Sequence, residues 1–318
     1  MRSSIIRHTA DIFDPDLLIV DKEPLGLRGE VRDTLDLLQR RGTALVLGLR
    51  DVMDDPEALE NEWERKQAVP ALSEYYDDIW VYGLPQICDP LAGLAVPISV
   101  RRRMTYTGYL RRTASEPQAT PEILDLLERD FALVTPGGGG DGEALIDLVL
   151  SAYEYDRSIP LPALIVFGPF MQPEQRIAFA SRAARLEKVR TITFNARLES
   201  LMARAAGVIA MGGYNTFCEI LSFDKRALIV PRTAPRLEQL IRARRAAELG
   251  LLTMLSEEEG RDPKVMALGI RRLTEQPLPS TARIPGLLDG MRNVNRLARR
   301  WLHEGRAGCF AARERLQA

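Results

Sequence analysis

Short apolar runs alternate with amphipathic stretches along most of the chain. Apolar runs of strand length occur at 17–20, 44–48, 79–82 and 104–109, and again at 131–135, 163–167, 189–194, 208–211 and 227–230. Helical periodicity fills most of the segments between them, at 30–41, 57–76, 142–155, 173–185, 198–205, 215–222 and 236–249. Because strands that alternate with helices form parallel sheets with right-handed crossovers, the pattern predicts an α/β protein.

A polar, proline-containing segment at 113–121 interrupts this alternation, and we interpret it as a linker between two domains. We therefore predict an N-terminal α/β domain over residues 1–115 and a second over residues 116–285, with a last helix near 287–303. The first domain begins with a helix, whereas a doubly wound domain usually begins with a strand and a glycine turn. We expect this first domain to be incomplete.

The most informative motif is the segment 212–216, Gly-Gly-Tyr-Asn-Thr, which follows a predicted strand and leads into a predicted helix. A glycine turn aimed at a helix start presents backbone N–H groups, which suit phosphate. We expect Asn215 or Thr216 to cap that helix. Glu219 lies about one turn further on, where a carboxylate can accept hydrogen bonds from two adjacent sugar hydroxyls. A phosphate site and a diol site on the same strand–turn–helix segment together predict a nucleotide ligand.

A second glycine cluster, Thr-Pro-Gly-Gly-Gly-Gly-Asp-Gly at 135–142, lies between a predicted strand and a predicted helix. Successive glycines allow the backbone to wrap an anion without obstruction by Cβ atoms. The cluster has neither the Gly-Lys-Ser/Thr of a Walker A loop nor the pattern of a dinucleotide fingerprint. We interpret it as a second anion or sugar contact, with a flexible loop as the alternative.

Polar and glycine residues also follow three other predicted strands. Gly168 either lines a wall for the base or sugar, or forms a simple turn. Asn195 lies where backbone groups could read a base edge, or it caps a helix. After the last strand, Arg236 suits a phosphate, whereas Glu238 and Gln239 suit sugar hydroxyls. Taken alone, these three residues would be interpreted as the ordinary charged first turn of a helix. Because they occur together with the glycine turn and Glu219, we favour their interpretation as ligand contacts.

Composition and charge limit the chemistry. The chain has 318 residues and a formal net charge of −1, which argues against a general nucleic-acid binder. Only His8 and His303 are available, so a multi-histidine metal site is excluded, and both are expected to be surface or packing residues. Scattered cysteines and the lack of a long apolar run predict a cytoplasmic protein without a membrane span. The arginine runs at 101–103, 111–112 and 242–245 are interpreted as solvated surface, with attraction to an anionic membrane as the alternative.

The motifs resemble the donor half of the family 28 glycosyltransferases, which have the two-Rossmann GT-B architecture. In that family a glycine turn is followed by Thr-x-x-Glu on a helix and by a proline-initiated loop that ends in Gln-Gln. Here the corresponding residues are Gly213, Thr216, Glu219, Pro231, Glu238 and Gln239. The cluster at 135–142 corresponds to the family's Thr-Gly-Gly-Ser-x-Gly loop. The resemblance covers about residues 130–255.

This resemblance implies two Rossmann-like domains and transfer of a sugar from a nucleoside-diphosphate sugar, a UDP-sugar, to a hydroxyl acceptor that is a saccharide or is linked to lipid. It implies polysaccharide biosynthesis, no metal ion and no cofactor, and a C-terminal segment, 286–318, that crosses back to the N-terminal domain. Glu219 is then the ribose ligand and Gln239 a ligand of the donor sugar. The implied donor-binding residues are Gly137, Gly138, Gly139, Gly140, Asp141, Gly142, Gly168, Asn195, Gly212, Gly213, Tyr214, Asn215, Thr216, Glu219, Arg236, Glu238 and Gln239.

At 14–26 and 47–51 the chain is similar to a group of predicted bacterial glycosyltransferases related to that family. Members usually begin with a strand and a His- and Gly-rich loop, so we expect an N-terminal segment to be missing here. The resemblance therefore assigns no catalytic base to this chain. The weak candidates for a base lie at the ends of predicted strands and are Asp21, Glu23 and Asp51. Two alternatives stay open: a nucleotide-sugar epimerase, and a non-catalytic subunit that binds a nucleotide sugar.

Overall fold

A computed structural model describes residues 1–114, 124–137, 141–195 and 197–317. The chain divides into two compact units, Met1–Leu110 together with Gly286–Ala318, and Arg111–Pro285. The sequence-based boundaries are after residues 115 and 285, and most of the predicted linker at 113–121 lies outside the described residues.

The first unit is built on a four-stranded parallel sheet in the order β1-β2-β3-β4. Its strands are β1 (Leu17–Asp21), β2 (Ala44–Arg50), β3 (Asp78–Tyr82) and β4 (Met104–Tyr106). Its connecting helices are α1 (Arg2–Phe13), α2 (Arg32–Arg40), α3 (Pro56–Arg65), α4 (Ala68–Glu74) and α5 (Ile98–Arg101). Buried leucines and valines on the strands pack against buried side chains of the helices, which gives the unit its own core.

Two predicted elements of this unit differ from the structure. The helix predicted over 57–76 is divided into α3 and α4 at Gln67, whose left-handed backbone (φ 52°) ends the helical hydrogen-bond ladder. The strand predicted over 104–109 ends at Tyr106. Tyr109 instead turns inward, where its buried hydroxyl donates a hydrogen bond to Asp51 Oδ2 at 2.7 Å.

The C-terminal helix α14 (Gly290–Gln317) also belongs to the first unit, and its regular geometry is interrupted at Gly305. Leu297 and Trp301 of this helix pack against Trp80 of β3. Trp301 Nε1 and Arg300 Nη2 donate hydrogen bonds to Asp78 Oδ2 at 3.3 and 2.9 Å. Apolar and charged contacts together therefore hold the helix on the four-stranded sheet.

The second unit contains a six-stranded parallel sheet in the order β10-β9-β8-β5-β6-β7. Its strands are β5 (Ala132–Thr135), β6 (Ala163–Val166), β7 (Val189–Ile192), β8 (Gly207–Ala210), β9 (Arg226–Ile229) and β10 (Thr253–Met254). Its α-helices are α6 (Leu124–Leu127), α7 (Glu143–Tyr155), α8 (Pro173–Ala183), α9 (Leu198–Arg204), α10 (Tyr214–Ser222), α11 (Glu238–Glu248), α12 (Glu257–Gly260) and α13 (Pro263–Arg271). Two short 3-10 helices, Leu273–Glu275 and Pro279–Ala282, follow.

The direction of strand addition reverses between β5 and β8. The chain places β6 and β7 on one side of β5 and then crosses to add β8, β9 and β10 on the other. Ligands of open parallel sheets bind beyond the carboxyl ends of the strands, at the point where the order reverses. The two glycine clusters identified in the sequence directly follow β5 and β8, so this topology brings them to that point.

The described helices include none with the length and apolar character needed to cross a membrane. His8 and His303 are both exposed, which is the surface alternative of the two that the sequence left open.

Candidate functional site

The turn after β8 is shaped by two glycines with different constraints. Gly212 has a left-handed backbone (φ 83°), and a Cβ there would lie 2.9 Å from Ile229 Cγ2. At Gly213, a Cβ would meet no described atom within 4 Å, so the space beside it is open. Gly213 also precedes the first residue of α10, and no described side chain caps this helix. The turn therefore offers an uncovered helix start, which suits an anion.

The expected helix caps were wrong. Asn215 and Thr216 lie inside the first turn of α10, because Gly213 adopts the extended conformation of a capping residue (φ −56°, ψ 152°) and the helix begins at Tyr214. Asn215 is exposed, whereas Thr216 is buried with 9% of its surface accessible. A ligand at the turn would thus meet backbone groups before it met a capping side chain.

A buried arginine lies behind this turn. Arg242 of α11 is only 1% exposed, and its Nη1 donates a hydrogen bond to the carbonyl of Gly212 at 3.1 Å. Its guanidinium carbon is 5.7 Å from the ring centroid of Tyr214. The sequence interpretation of Arg242 as solvated surface is wrong, since α11 directs this residue toward the turn. Its permanent charge adds to the positive end of α10 and favours a bound anion.

Glu219 lies on α10 with Asn215 and Ser222 on the same helix face. It is half-buried, and its carboxylate has no hydrogen-bond or ion-pair partner among the described residues. Burial raises the pKa of Glu219; the charge of Arg112 opposes this rise and the charge of Glu199 adds to it. A half-buried carboxylate without a donor to satisfy it is the group that ligand hydroxyls would complete.

Arg112 is a site residue that sequence reasoning did not identify. Its backbone N–H donates to Ser222 Oγ at 2.9 Å, and its Nη2 donates to Asn215 Oδ1 at 3.2 Å. Its Nε is buried and has no hydrogen-bond partner within the described residues. Arg112 therefore lies along the helix face that carries Glu219. No local pattern distinguishes it from Arg111, which is exposed.

The loops after β5 and β6 meet the turn region around Gly137. This glycine has a left-handed backbone (φ 92°), and its N–H donates to Thr135 Oγ1 at 3.2 Å. A Cβ on Gly137 would lie 3.9 Å from Thr216 Oγ1, and one on Gly168 would lie 3.4 Å from the Gly137 carbonyl. Three of the predicted loops thus converge, while Gly138, Gly139 and Gly140 lie outside the described residues.

Arg232 links the loop after β5 to the start of α11. It forms an ion pair with Asp141 through Nη1 and another with Glu238 Oε1 through Nη2 at 3.2 Å. Gln239 is 6% exposed, and its amide is assigned the orientation in which both ends are satisfied: Nε2 donates to the Met211 carbonyl at 2.9 Å and Oε1 accepts from Arg232 Nε at 3.1 Å. The amide of Gln239 is therefore engaged within the protein, and Arg232 fixes its orientation.

Four other predicted contacts have clear positions. Gly142 precedes the first residue of α7, where no described side chain caps the helix. The Oδ1 of Asn195 accepts a hydrogen bond from the N–H of Arg197 at 2.8 Å in the turn before α9, a helix that no described side chain caps. Arg236 is half-buried in the loop before α11, and Glu238 Oε2 is buried without a hydrogen-bond partner among the described residues.

The three weak candidates for a catalytic base belong to the first unit and have different surroundings. Asp21 is exposed at the end of β1. Glu23 Oε2 forms an ion pair with Lys66 Nζ at 2.8 Å. Asp51 is fully buried, with Oδ1 accepting from the N–H of Val52 at 2.8 Å and Oδ2 from the hydroxyl of Tyr109 at 2.7 Å. The contacts of Asp51 are those of a structural carboxylate, which argues against its use as a base.

Comparisons with known proteins concern the second unit and the fold. Residues 132–283 match the model of the glycosyltransferase family 28 C-terminal domain. A comparison with curated proteins gave no match.

Among solved structures, the glycosyltransferase VinC in complex with DTDP has 17% identity and a TM-score of 0.63 over 95% of this chain and 75% of that chain. MurG from Acinetobacter baumannii has 13% identity and a TM-score of 0.59 over 94% of this chain and 78% of that chain. A UDP-GlcNAc 2-epimerase from Neisseria meningitidis, bound to UDP-GlcNAc, has 13% identity and a TM-score of 0.59 over 95% of this chain and 80% of that chain.

At these identities the structural similarity establishes the fold, and the family match shows a similarity over residues 132–283. The chain thus shares the fold of the GT-B glycosyltransferases, and residues 132–283 of its second unit are similar to the glycosyltransferase family 28 C-terminal domain.

Proposed function

We propose that this protein is a glycosyltransferase that moves a sugar from a nucleoside-diphosphate sugar, a UDP-sugar, to a hydroxyl acceptor. The observation that carries the proposal lies on α10. No described side chain caps the start of this helix, and the carboxylate of Glu219 has no hydrogen-bond or ion-pair partner among the described residues. The first suits a diphosphate and the second a ribose diol. The match to the family 28 C-terminal domain supports the same assignment.

In this reaction the acceptor oxygen attacks the anomeric carbon of the donor sugar. The bond between that carbon and the diphosphate oxygen breaks, the acceptor proton passes to a base, and the nucleoside diphosphate leaves. The start of α10 and the guanidinium of Arg242 behind it stabilise the charge that develops on the leaving diphosphate. Glu219 fixes the nucleoside through its hydroxyls, so that the anomeric carbon is held in one place.

The donor sugar itself is assigned to the region of Asp141, Arg232 and Glu238. Arg232 holds Gln239 in place and is itself neutralised by two carboxylates. Since Gln239 already donates to the Met211 carbonyl, its contact with the sugar would use the remaining amide hydrogen or would require rearrangement. This part of the site is accordingly where we place selectivity among sugars.

A nucleotide-sugar epimerase remains the second candidate. The epimerase from Neisseria meningitidis is as similar to this chain, by identity and TM-score, as MurG is. Both reactions need a nucleotide-sugar site, so the features of α10 do not separate them. A third candidate, a non-catalytic subunit that binds a nucleotide sugar, would need the same site.

Product analysis separates these functions. The protein is incubated with a radiolabelled UDP-sugar and a panel of saccharide and lipid-linked hydroxyl acceptors. We expect release of UDP in equal amount to a glycosylated acceptor, both lost in Glu219→Ala. An isomeric UDP-sugar without released UDP would show an epimerase and contradict the proposal. Donor binding without any product across the panel would instead support the binding subunit.

We further propose that the protein acts in the cytoplasm, in polysaccharide biosynthesis, and without a metal ion. Cys88, Cys218 and Cys309 form no disulfide among the described residues, which fits a reducing compartment. A chelator such as EDTA is expected to leave the transfer rate unchanged, because the helix start and Arg242 supply the positive charge that the diphosphate requires. Loss of activity in EDTA, restored by a divalent cation, would refute the metal-free proposal.

A further inference from the structure

A pocket of about 330 Å³ opens in the first unit at the carboxyl end of β1. Its walls are the loop that follows β1, residues 23–29, the junction of α3 and α4, residues 65–68, and Arg32 at the start of α2. The carboxyl edge of a parallel sheet is the edge at which α/β proteins bind ligands. The donor site described above lies in the second unit and does not use this pocket.

The loop that forms the pocket is held in a fixed conformation. The buried hydroxyl of Tyr76 donates a hydrogen bond to the carbonyl of Pro24. The N–H of Gly26 donates to the Glu23 carbonyl at 2.9 Å, and the N–H of Val31 to the Leu25 carbonyl at 3.1 Å. A ligand would therefore enter a preformed pocket and would not have to order the loop, which lowers the cost of binding.

The carboxylate of Glu23, which lines the pocket, and those of Glu62 and Glu30, which are near it in sequence or by contact, are already engaged. Lys66 Nζ contacts Glu23 at 2.8 Å and Glu62 at 2.6 Å. Burial alone would lower the pKa of Lys66, but its hydrogen bonds to these two carboxylates raise it, so Lys66 is charged and paired with both. Glu30 Oε2 accepts a hydrogen bond from the backbone N–H of Arg28 at 2.6 Å, which helps to hold the pKa of Glu30 below its usual value.

Three arginines of the same pocket remain without a counter-charge. Within the part of the chain that the structure describes, the guanidinium groups of Arg28, Arg32 and Arg65 have no ion pair. Arg65 Nε donates only to a neighbouring carbonyl, that of Asn61, at 3.1 Å. Three unpaired guanidinium groups around one concave surface make a site of net positive charge, and their planar donor forks match the geometry of phosphate oxygens.

We propose that this pocket binds an anionic group of the phosphate type, carried by the acceptor substrate. One arginine would suffice for a single carboxylate, whereas three fit the several oxygens and higher charge of a phosphate ester or a diphosphate. The assignment to the acceptor rests on the proposed glycosyl transfer, because the donor is assigned to the second unit. The assignment of an anion site rests on the pocket alone.

The test is calorimetric titration of the full chain with inorganic pyrophosphate while the donor site is kept saturated with UDP. Wild type is expected to show a saturable second binding event. The double variant Arg28→Ala/Arg32→Ala should bind pyrophosphate at least about tenfold more weakly, since it loses two charge-assisted contacts. Both side chains are exposed, so the variant is expected to keep its circular dichroism spectrum and its affinity for UDP.

Arg102→Ala is the matched control. Arg102 is also an exposed arginine of the first unit, but it precedes β4, at the amino edge of the sheet. The Arg102→Ala variant should therefore bind pyrophosphate as wild type does. Equal pyrophosphate affinity in wild type and the double variant, or no saturable binding in either, would overturn the proposal. Failure of UDP to bind would count against the proposed transferase and leave the comparison of these variants intact.

Sedimentation with vesicles identifies the source of the phosphate group. Phosphatidylcholine vesicles with and without phosphatidic acid are mixed with wild type and the double variant. Sedimentation that needs both phosphatidic acid and the arginines supports an acceptor whose phosphate is presented by lipid. Pyrophosphate binding without sedimentation supports a soluble phosphorylated acceptor. Sedimentation that is equal in wild type and the double variant, together with equal pyrophosphate binding, contradicts both.

Discussion

Single side chains at the site owe their properties to distant parts of the chain. Glu219 is identifiable from its position one turn after a glycine motif, but its pKa is set by burial and by Arg112 and Glu199, which are far from it in sequence. Arg242 looks like one of several surface arginines in the sequence, yet it is 1% exposed behind the Gly212 turn. Spacing along the chain identified the carboxylate and missed the arginines, because their partners come from other elements.

Protonation of Glu219 should affect stability and ligand binding in opposite directions. Burial raises the pKa of this carboxyl in the folded protein above its ordinary value of 4.5. Protonation therefore stabilises the fold, and this contribution is fully present below pH 4.5 and is lost as the pH rises through the raised pKa. UDP binding needs the ionised form, so affinity should fall as the pH is lowered through the same range.

Glu219→Gln provides the comparison for this pH dependence, since it is nearly isosteric and does not titrate. Urea unfolding and UDP calorimetry are measured for both proteins at a series of pH values. The free energy of unfolding of wild type, relative to the variant, should decrease with rising pH, and only wild type should show the pH dependence due to this carboxyl. A difference in unfolding free energy that is constant with pH would show that Glu219 titrates normally.

Replacement of Arg242 by methionine should destabilise the second unit. The substitution keeps an apolar stem but leaves the Gly212 carbonyl without its donor, which costs about 1–3 kcal/mol in the free energy of unfolding. UDP affinity should fall as well, because the charge behind the turn is removed. Arg245→Met is the control, because Arg245 lies about one turn later on α11, is exposed and is paired with Glu248; the expected change is within about 0.5 kcal/mol. A stable Arg242→Met that binds UDP normally would refute the role of the buried charge.

At the scale of helices and strands, periodicity predicted most elements and their order. The apolar runs near 44–48, 163–167 and 227–230 correspond to β2, β6 and β9, because buried parallel strands are apolar along their whole length. Element ends were less predictable. The break at Gln67 requires a non-glycine residue in a left-handed conformation, and the start of α10 depends on Gly213 acting in place of the expected polar cap. β10, with only two residues, has no periodicity to detect.

The two glycines before α10 should respond differently to alanine. Gly212→Ala places a Cβ 2.9 Å from Ile229 Cγ2 on a left-handed backbone, so it should lower the free energy of unfolding by more than about 1 kcal/mol. Gly213→Ala faces open space with an ordinary φ and should leave stability within about 0.5 kcal/mol. It should nevertheless weaken UDP binding, because the new methyl group occupies the approach to the helix start. Normal UDP affinity in Gly213→Ala would place the diphosphate elsewhere.

At the scale of the whole molecule, each unit has one parallel sheet and one carboxyl edge with recognisable chemistry. In the second unit, the reversal between β5 and β8 brings the glycine turns and Glu219 together. In the first unit, the end of β1 carries the arginine pocket. The sequence predicted two α/β domains from local alternation, but it could not predict the order of strands within a sheet or the clustering of Arg28, Arg32 and Arg65, since both depend on contacts between distant segments.

The central claim is that α10 and the turn before it bind the nucleoside diphosphate of the donor. Calorimetric titration with UDP of wild type, Glu219→Ala and Glu187→Ala tests it most directly; Glu187 is an exposed carboxylate before β7, at the opposite edge of the same sheet. We expect UDP to bind wild type and Glu187→Ala equally. Glu219→Ala should bind at least about tenfold more weakly, with an unchanged circular dichroism spectrum, because two hydrogen bonds to a charged group are lost. Equal UDP affinity in all three proteins, or no binding by wild type, would contradict the account.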